Sequence, residues 1–339
     1  MQIQTKSKSR LKVFLDNPSK ALWSLAIPIM FGMGIQTLYN LVDMLFIGRL
    51  GGNAITGIAF NMPLFFLVLG LTMGLGTGVT AAIARLIGEE NKKQADNCAE
   101  HAVFIAFIIS ITLSSVGLLF GKDILSLFGA SGEILNLGWE YLHVMCVGMP
   151  FMIFSGFFRS ILAGEGDMKF PMMVAGLGTI LNIILDPIFI FELESYGNIG
   201  FGLGISGAAM ATVISQAIVF IVFIFMLFFK NHSYITFNLN DFSFSSDIIL
   251  DIIKIGLPAS LSMIVMAVGQ GVFNKILVHI SVETVAAYQV AGRLDILVFL
   301  PIFSIAASLT TLIGMFYGAK EYEALRFTIR YGIVSALII

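Results

Sequence analysis

The chain has 339 residues, 58% of them hydrophobic and only 12% charged, with a mean hydropathy of +0.94, which is not the composition of a water-soluble domain. A net charge of −2 gives no bulk attraction to nucleic acid. The two cysteines, Cys98 near one surface and Cys146 inside an apolar run, are expected to lie too far apart to bridge and supply neither a disulfide framework nor a metal site.

Runs with little or no charge cover residues 21–42, 50–84, 102–121, 141–158, 170–191, 195–229, 255–274 and 296–319. Each is long enough to cross a bilayer as a helix, and none alternates with the period of a barrel strand. The fold class is therefore an all-α polytopic membrane protein. A ninth apolar run begins near Tyr331 and stops at Ile339, too soon to finish a crossing. With the amino terminus inside the cell, fifteen of the 19 Lys and Arg residues fall on the inner side, among them Arg10, Arg85, Lys92, Arg159, Lys169, Lys254 and Lys320. That asymmetry sets the amino terminus in the cytoplasm. The first run is too long for a signal peptide, so it is read as retained.

In chain order, the first span carries Pro28, Gln36, Tyr39, Asn40 and Asp43 before the turn at Gly51 and Gly52; Pro28 removes a backbone bond and should bend the helix. The second, Asn53 to Gly88, holds Gly70, Gly74, Gly76 and Gly78, small residues that let helices approach closely. The loop EENKKQADN is expected to be a solvated face. The fourth span brings Tyr141 and His143, the lone His read as a satisfied core residue. In the fifth, Asn182 and Asp186 stand four apart, on one helix face. A carboxylate at membrane depth costs at least about 2.5 kcal/mol and by default marks a functional site that needs a partner. Pro187 follows and cannot donate to the Ile183 carbonyl.

Asp43 is more than twenty residues from Lys20, and Asp186 seventeen from Lys169. At about 1.5 Å per residue both acids fall in the outer half of the membrane, where they can meet. Two neighbouring carboxylates cannot both ionise cheaply, so one holds a proton or the pair accepts a cation. The residues leave Na⁺ and H⁺ both open. Gly202 to Gly207 matches G-x-G-x-x-G, but it introduces another apolar helix instead of following a strand, and there is no P-loop. Neither a dinucleotide nor an ATP engine is expected. The sixth span then runs Ala208 to Thr212 through small residues.

A polar stretch at 231–254 divides the chain into an amino-terminal lobe of six spans at 1–230 and the start of a second lobe at 255–339, two helices and part of a third. An offset of 230 residues puts Pro258 on Pro28, Thr310 on Thr80 and Gly318 on Gly88. Six spans separate the copies, an even number, so they cross in the same direction as a parallel repeat. Asp43 aligns with Phe273, which leaves the paired acids in the first lobe alone.

In Pro28, Gln36, Tyr39 and Asp43, then Asn182-Ile-Ile-Leu-Asp186-Pro187, then Gly204-Ile-Ser-Gly207-Ala-Ala-Met-Ala-Thr212, on the first, fifth and sixth spans, the chain resembles the multidrug and toxin extrusion (MATE) transporters of the larger flippase-like superfamily. The resemblance implies two bundles of six helices around a central cavity that exchange an organic compound for Na⁺ or H⁺. It implies no enzymatic activity, no cofactor beyond the coupling ion, a plasma-membrane location and a monomer in contact with lipid and amphiphilic small molecules. It implies a cation site of Asp43, Asn182, Asp186 and Thr212, with Gln36, Tyr39 and Tyr141 lining the substrate cavity. Members have twelve spans, so a chain ending in its ninth is expected to leave the second lobe incomplete and not to transport alone. A lipid-linked oligosaccharide flippase of the same superfamily is the alternative, but it would need several basic cavity residues, and only Arg293, near Asp295, is deep in a span. An intramembrane prenyltransferase would need Asp-rich clusters, which do not occur. Cation-coupled export of amphiphilic, cationic or aromatic compounds is the reading preferred.

Overall fold

The computed structural model describes residues 10–192, 200–230, 232–238, 242–278 and 282–339, without the side chains of 40, 41, 44 and most of 267–297. Ten named helices follow one another: α1 (Pro18–Gly48), α2 (Gly52–Ala59), α3 (Met62–Gly88), α4 (Lys92–Leu127), α5 (Gly132–Gly164), α6 (Lys169–Ile190), α7 (Gly204–Ile224), α8 (Ser246–Val278), α9 (Val282–Gly318) and α10 (Tyr322–Ile338). A π turn at Phe225–Phe229 prolongs α7. Eight helices among the described residues are long and apolar enough to cross a membrane. Their outward faces carry exposed Leu45, Leu119 and Met173, as a lipid-facing surface does. The protein is a multi-pass membrane protein.

Helix starts follow local chemistry. The Asn17 side chain accepts from the Lys20 N–H at 3.0 Å, with Pro18 opening α1, and Asn91 accepts from the Gln94 N–H at 3.2 Å to open α4. These are side-chain caps on otherwise unpaired donors. The run expected to be one span from Asn53 to Gly88 is broken in two, because the chain turns at Phe60 and Asn61 ahead of Pro63. Asn61 is fully buried there and donates to the carbonyls of Gly57 at 3.0 Å and Gly138 at 3.1 Å. The break is thus held by polar contacts to α2 and α5. The polar stretch after Lys230 is likewise not all loop, since α8 starts at Ser246.

The 230-residue offset is visible in three dimensions. α3 ends at Gly88 and α9 at Gly318, each followed by a residue with positive φ, Glu90 at 54° and Lys320 at 60°. The chain reversals match bond for bond: Asn91 N–H donates to Leu86 O at 3.0 Å, Glu321 N–H to Phe316 O at 2.9 Å. The two ends then pack on each other. A side chain on Gly88 would overlap the Met315 carbonyl oxygen, and one on Gly318 would overlap that of Arg85. Further along α3, Gly74 lies against Ser260 and Gly78 against the Ile252 carbonyl of α8. Arg85 adds an ion pair to Asp251 at 2.8 Å. The helices of the second copy, α8 and α9, therefore meet α3 backbone to backbone on the side that carries Lys92 and Lys169, called here the basic side.

Residues 232–238 and 242–245 lie across that side as a strap. Glu165, buried in the turn after α5, accepts from the Ser233 hydroxyl and from the N–H groups of Tyr234 at 2.9 Å and Ile235 at 3.1 Å. Burial pushes its carboxyl above the usual range against these bonds. Asp167 holds Arg10 at 3.1 Å and His232 at 3.0 Å. Burial alone would raise Asp167, but Arg10, the Phe170 N–H and His232 together hold it below its usual value. Asp96 accepts from Thr236 N–H at 3.0 Å and binds Lys92, and Glu100 accepts from Asn238 N–H at 2.8 Å. The charged loop and helix start expected to be a plain solvated face are thus partly a clasp for this strap.

Candidate functional site

The site is built where α1, α5, α6 and α7 converge near their far ends, away from the basic side. α6 can carry Asp186 close to its end because the chain returning from 200 caps it. The N–H groups of Phe201, Gly202 and Leu203 donate at 2.8, 2.8 and 2.9 Å to the carbonyls of Ile188, Phe191 and Phe189. Gly207 lets α7 press on this end, since a side chain there would overlap the Phe189 carbonyl. Pro187 inside α6 withholds a donor from the preceding turn.

Asn182 and Asp186 are both buried. The Asn182 amide donates to Asp186 Oδ1 at 3.2 Å and reaches Thr212 Oγ1 at 3.4 Å, and that hydroxyl in turn donates to the Ala208 carbonyl at 3.1 Å. From α1, Asp43 brings its carboxyl close to that of Asp186, and Tyr39 lies beside Thr212. Tyr141 on α5 is buried within electrostatic range of both acids, its ring held edge-on to Phe65 at 6.0 Å. Six of the seven residues singled out from the sequence therefore meet at one place. Gln36 does not join them; it is exposed on α1 and makes no hydrogen bond among the described residues.

Two acceptors in this cluster, Asn182 Oδ1 and Asp186 Oδ2, are buried and have no hydrogen-bond partner among the described residues. Buried acceptors without a donor are costly. With the second carboxylate of Asp43 beside them, they form an oxygen-rich pocket suited to a proton or a hard monovalent cation. A separate cavity of ≈ 420 Å³ between Gly51, Asn53, Glu133 and Gly204 lies at the far surface and includes none of these residues.

A family model described as MatE matches residues 28–188 and 258–339. The chain belongs to the MatE family. Its matched segments contain Asp43, Tyr141, Asn182 and Asp186. Among relatives of the same family, it is 28% identical over 311 residues to the probable multidrug resistance protein YoeA of Bacillus subtilis, covering 91% of this chain and 66% of that protein. It is 30% identical over 322 residues to the probable multidrug resistance protein NorM of Thermotoga maritima, covering 94% of this chain and 68% of that one. A crystal structure of MATE in complex with MaL6 matches with a TM-score of 0.91 at 35% identity, over 97% of this chain and 71% of that one. The chain spans about two thirds of the length of the curated relatives it matches.

Other sequence expectations fall into place around the site. His143 is anchored to the Trp139 carbonyl at 3.0 Å. Cys98 and Cys146 are both free and buried. Gly204 opens α7, and no βαβ unit surrounds the glycine motif among the described residues. The side chains of Arg293 and Asp295 lie outside those described. Arg159 was counted with the inner surface charges because its apolar run stops at residue 158, but α5 continues to Gly164. That extension places Arg159 inside the helix, on the same face as Tyr141, eighteen residues or five turns away.

Proposed function

We propose that the chain works as an antiporter that exports amphiphilic organic compounds in exchange for Na⁺ or H⁺, with Asp43, Asn182, Asp186 and Thr212 holding the cation. Tyr39 and Tyr141 present aromatic surface to the compound beside it, and Gln36 offers a polar edge to the same cavity from further along α1. The observation that carries this reading is the pair of carboxyls from α1 and α6 close together beside two buried acceptors without donors among the described residues. Such a pair is bistable. With a cation or proton it can close; empty, its charges drive α1 and α6 apart or call for another partner. An ion can drive exchange only if it binds the two shapes of the protein unequally, and a pair split between two helices provides that inequality. The basic side faces the cytoplasm of the plasma membrane, and the protein acts as a monomer.

The test is compound binding to the purified chain in nanodiscs, titrated with Na⁺ at fixed pH and with pH at fixed Na⁺. Exchange requires that one of these ions weaken compound binding, and that the compound weaken ion binding by the same factor. Affinity indifferent to both ions would sink the coupling site.

A further inference from the structure

The cation site does not use Arg159 of α5. This residue is exposed, whereas Ser155 and Ala163, one turn to either side on the same face, are buried. Lipid does not explain this exposure. Glu140 and Val147, exposed toward the far end of α5, stand about a third of a turn away from Arg159 around the helix. The face of Arg159 instead continues through Met152, between the side that packs on α3 through Gly156 and Ser160 and the side that packs on α7 through Phe151 and Phe158, until Gly148 meets Val213 of α7. Because α1 packs on α6 and α9 and not along this face, the stripe looks into the space enclosed by the helices. One turn beyond Arg159, the Thr311 hydroxyl of α9 donates to the Ala163 carbonyl at 2.9 Å and closes that space toward the basic side. Arg159 therefore stands at its floor, about 27 Å along α5 from Tyr141.

The guanidinium has no hydrogen-bond or ion-pair partner among the described residues, although Arg presents five donors that suit a carboxylate or phosphate. Two more donors near it lack acceptors. Ser155 Oγ is buried without a partner, and so is Thr72 Oγ1 of α3, whose side chain lies against Gly156. Hydroxyls accept as well as donate, but beside a guanidinium that can only donate, unsatisfied groups of this kind suit a ligand that accepts. We infer that the floor of the space, with Arg159 as its charged contact, binds the carboxylate or phosphate of an amphiphilic cargo. The inference rests on the export reading and narrows it: preferred cargo carries an anionic group, even though the cation site is acidic.

The experiment compares two forms of one xanthene dye, the free benzoate and its ethyl ester, binding by fluorescence polarisation to the full chain in nanodiscs of zwitterionic lipid. The wild type should prefer the acid by about tenfold or more, the effect of one charge-assisted hydrogen bond. Arg159→Lys should keep most of that preference and Arg159→Gln should lose it, both binding the ester as the wild type does. Equal binding of acid and ester by the wild type, or a preference that survives in Arg159→Gln, overturns the subsite and leaves the export reading standing. Failure of both dyes to bind overturns both readings. A preference that vanishes when anionic lipid is added assigns Arg159 to a headgroup and overturns its assignment to cargo.

Discussion

Asp43 and Asp186 come from helices about 140 residues apart in the chain, yet their carboxyls lie close to each other. Groups coupled this closely respond as a unit. Asp43→Asn and Asp186→Asn keep size and hydrogen bonding but remove a charge. Each should abolish the effect of the coupling ion on compound affinity, typically about 1–3 kcal/mol, and the double variant should be scarcely worse than either one. Additive losses in that cycle would show two independent structural acids. A second residue-scale prediction concerns Asp167 at the strap. Its folded-state carboxyl lies below its usual value, near about 3.9 when unfolded, so its contribution is complete above that pH and is lost as pH falls toward the lower folded value. Asp167→Asn should lower the melting temperature at pH 7 and flatten the acid limb below pH 5, whereas an unchanged limb would show that Arg10 and His232 add nothing. The sequence shows the first site well, because an acid in an apolar run is conspicuous and its depth can be counted from the nearest basic residue. It hides the second, because an acid in a short loop looks solvated until Arg10 and His232 are folded onto it. Arg159 was misplaced for a related reason: an arginine ends an apolar run in the sequence but need not end the helix.

Helix and span counts were legible because membrane helices must satisfy their backbone internally, which leaves long apolar runs as their trace. What the pattern could not show was the interruption at Asn61, since the contacts that replace the missing helix bonds come from Gly138 on another helix. The glycines of α3 were legible as packing surface, and the structure shows which of them matter. Gly88 and Gly318 each face a backbone carbonyl of the opposite helix, which cannot yield as a flexible side chain would. Ala at either should cost about 1–3 kcal/mol through overpacking, seen as a lower melting temperature in detergent. The two costs should be similar, because the sites are equivalent under the 230-residue repeat, and less than additive, because the first substitution already separates α3 from α9. Gly34→Ala on α1 is the control. Nothing lies within 4 Å of that position, so Ala should be neutral or slightly stabilising there. If Gly88→Ala proves as mild as Gly34→Ala, the two helices are not in backbone contact.

At the scale of the whole molecule, the orientation in the membrane decides which way a gradient can be used. Helices that cross in alternation put the turn at Lys92, the turn at Lys169 and the strap on one side, and the turns after Gly48 and Leu127 on the other. Most of the Lys and Arg residues gather on the first side, even with Arg159 moved into the helix interior, and loops rich in Lys and Arg stay in the cytoplasm. The backbone contacts between α3 and the α8–α9 pair lie toward that same side, whereas Asp43 and Asp186 lie toward the other. If the basic side is the cytoplasmic one, a protein closed on that side and bearing Asp43 and Asp186 toward the outside would take up a coupling ion from outside, the direction in which Na⁺ and H⁺ gradients usually run across a plasma membrane. Labelling in intact cells tests the orientation directly. The native Cys98 and Cys146 are buried and give a low background. Cysteine at the exposed Leu127 should react with an impermeant maleimide from outside, while cysteine at the exposed Lys93 should react only after the cells are opened. The opposite pattern would invert the protein and, with it, the side from which the coupling ion must enter. Equal labelling of both positions in intact cells would mean mixed insertion, and no single gradient could then drive export through the Asp43–Asp186 pair.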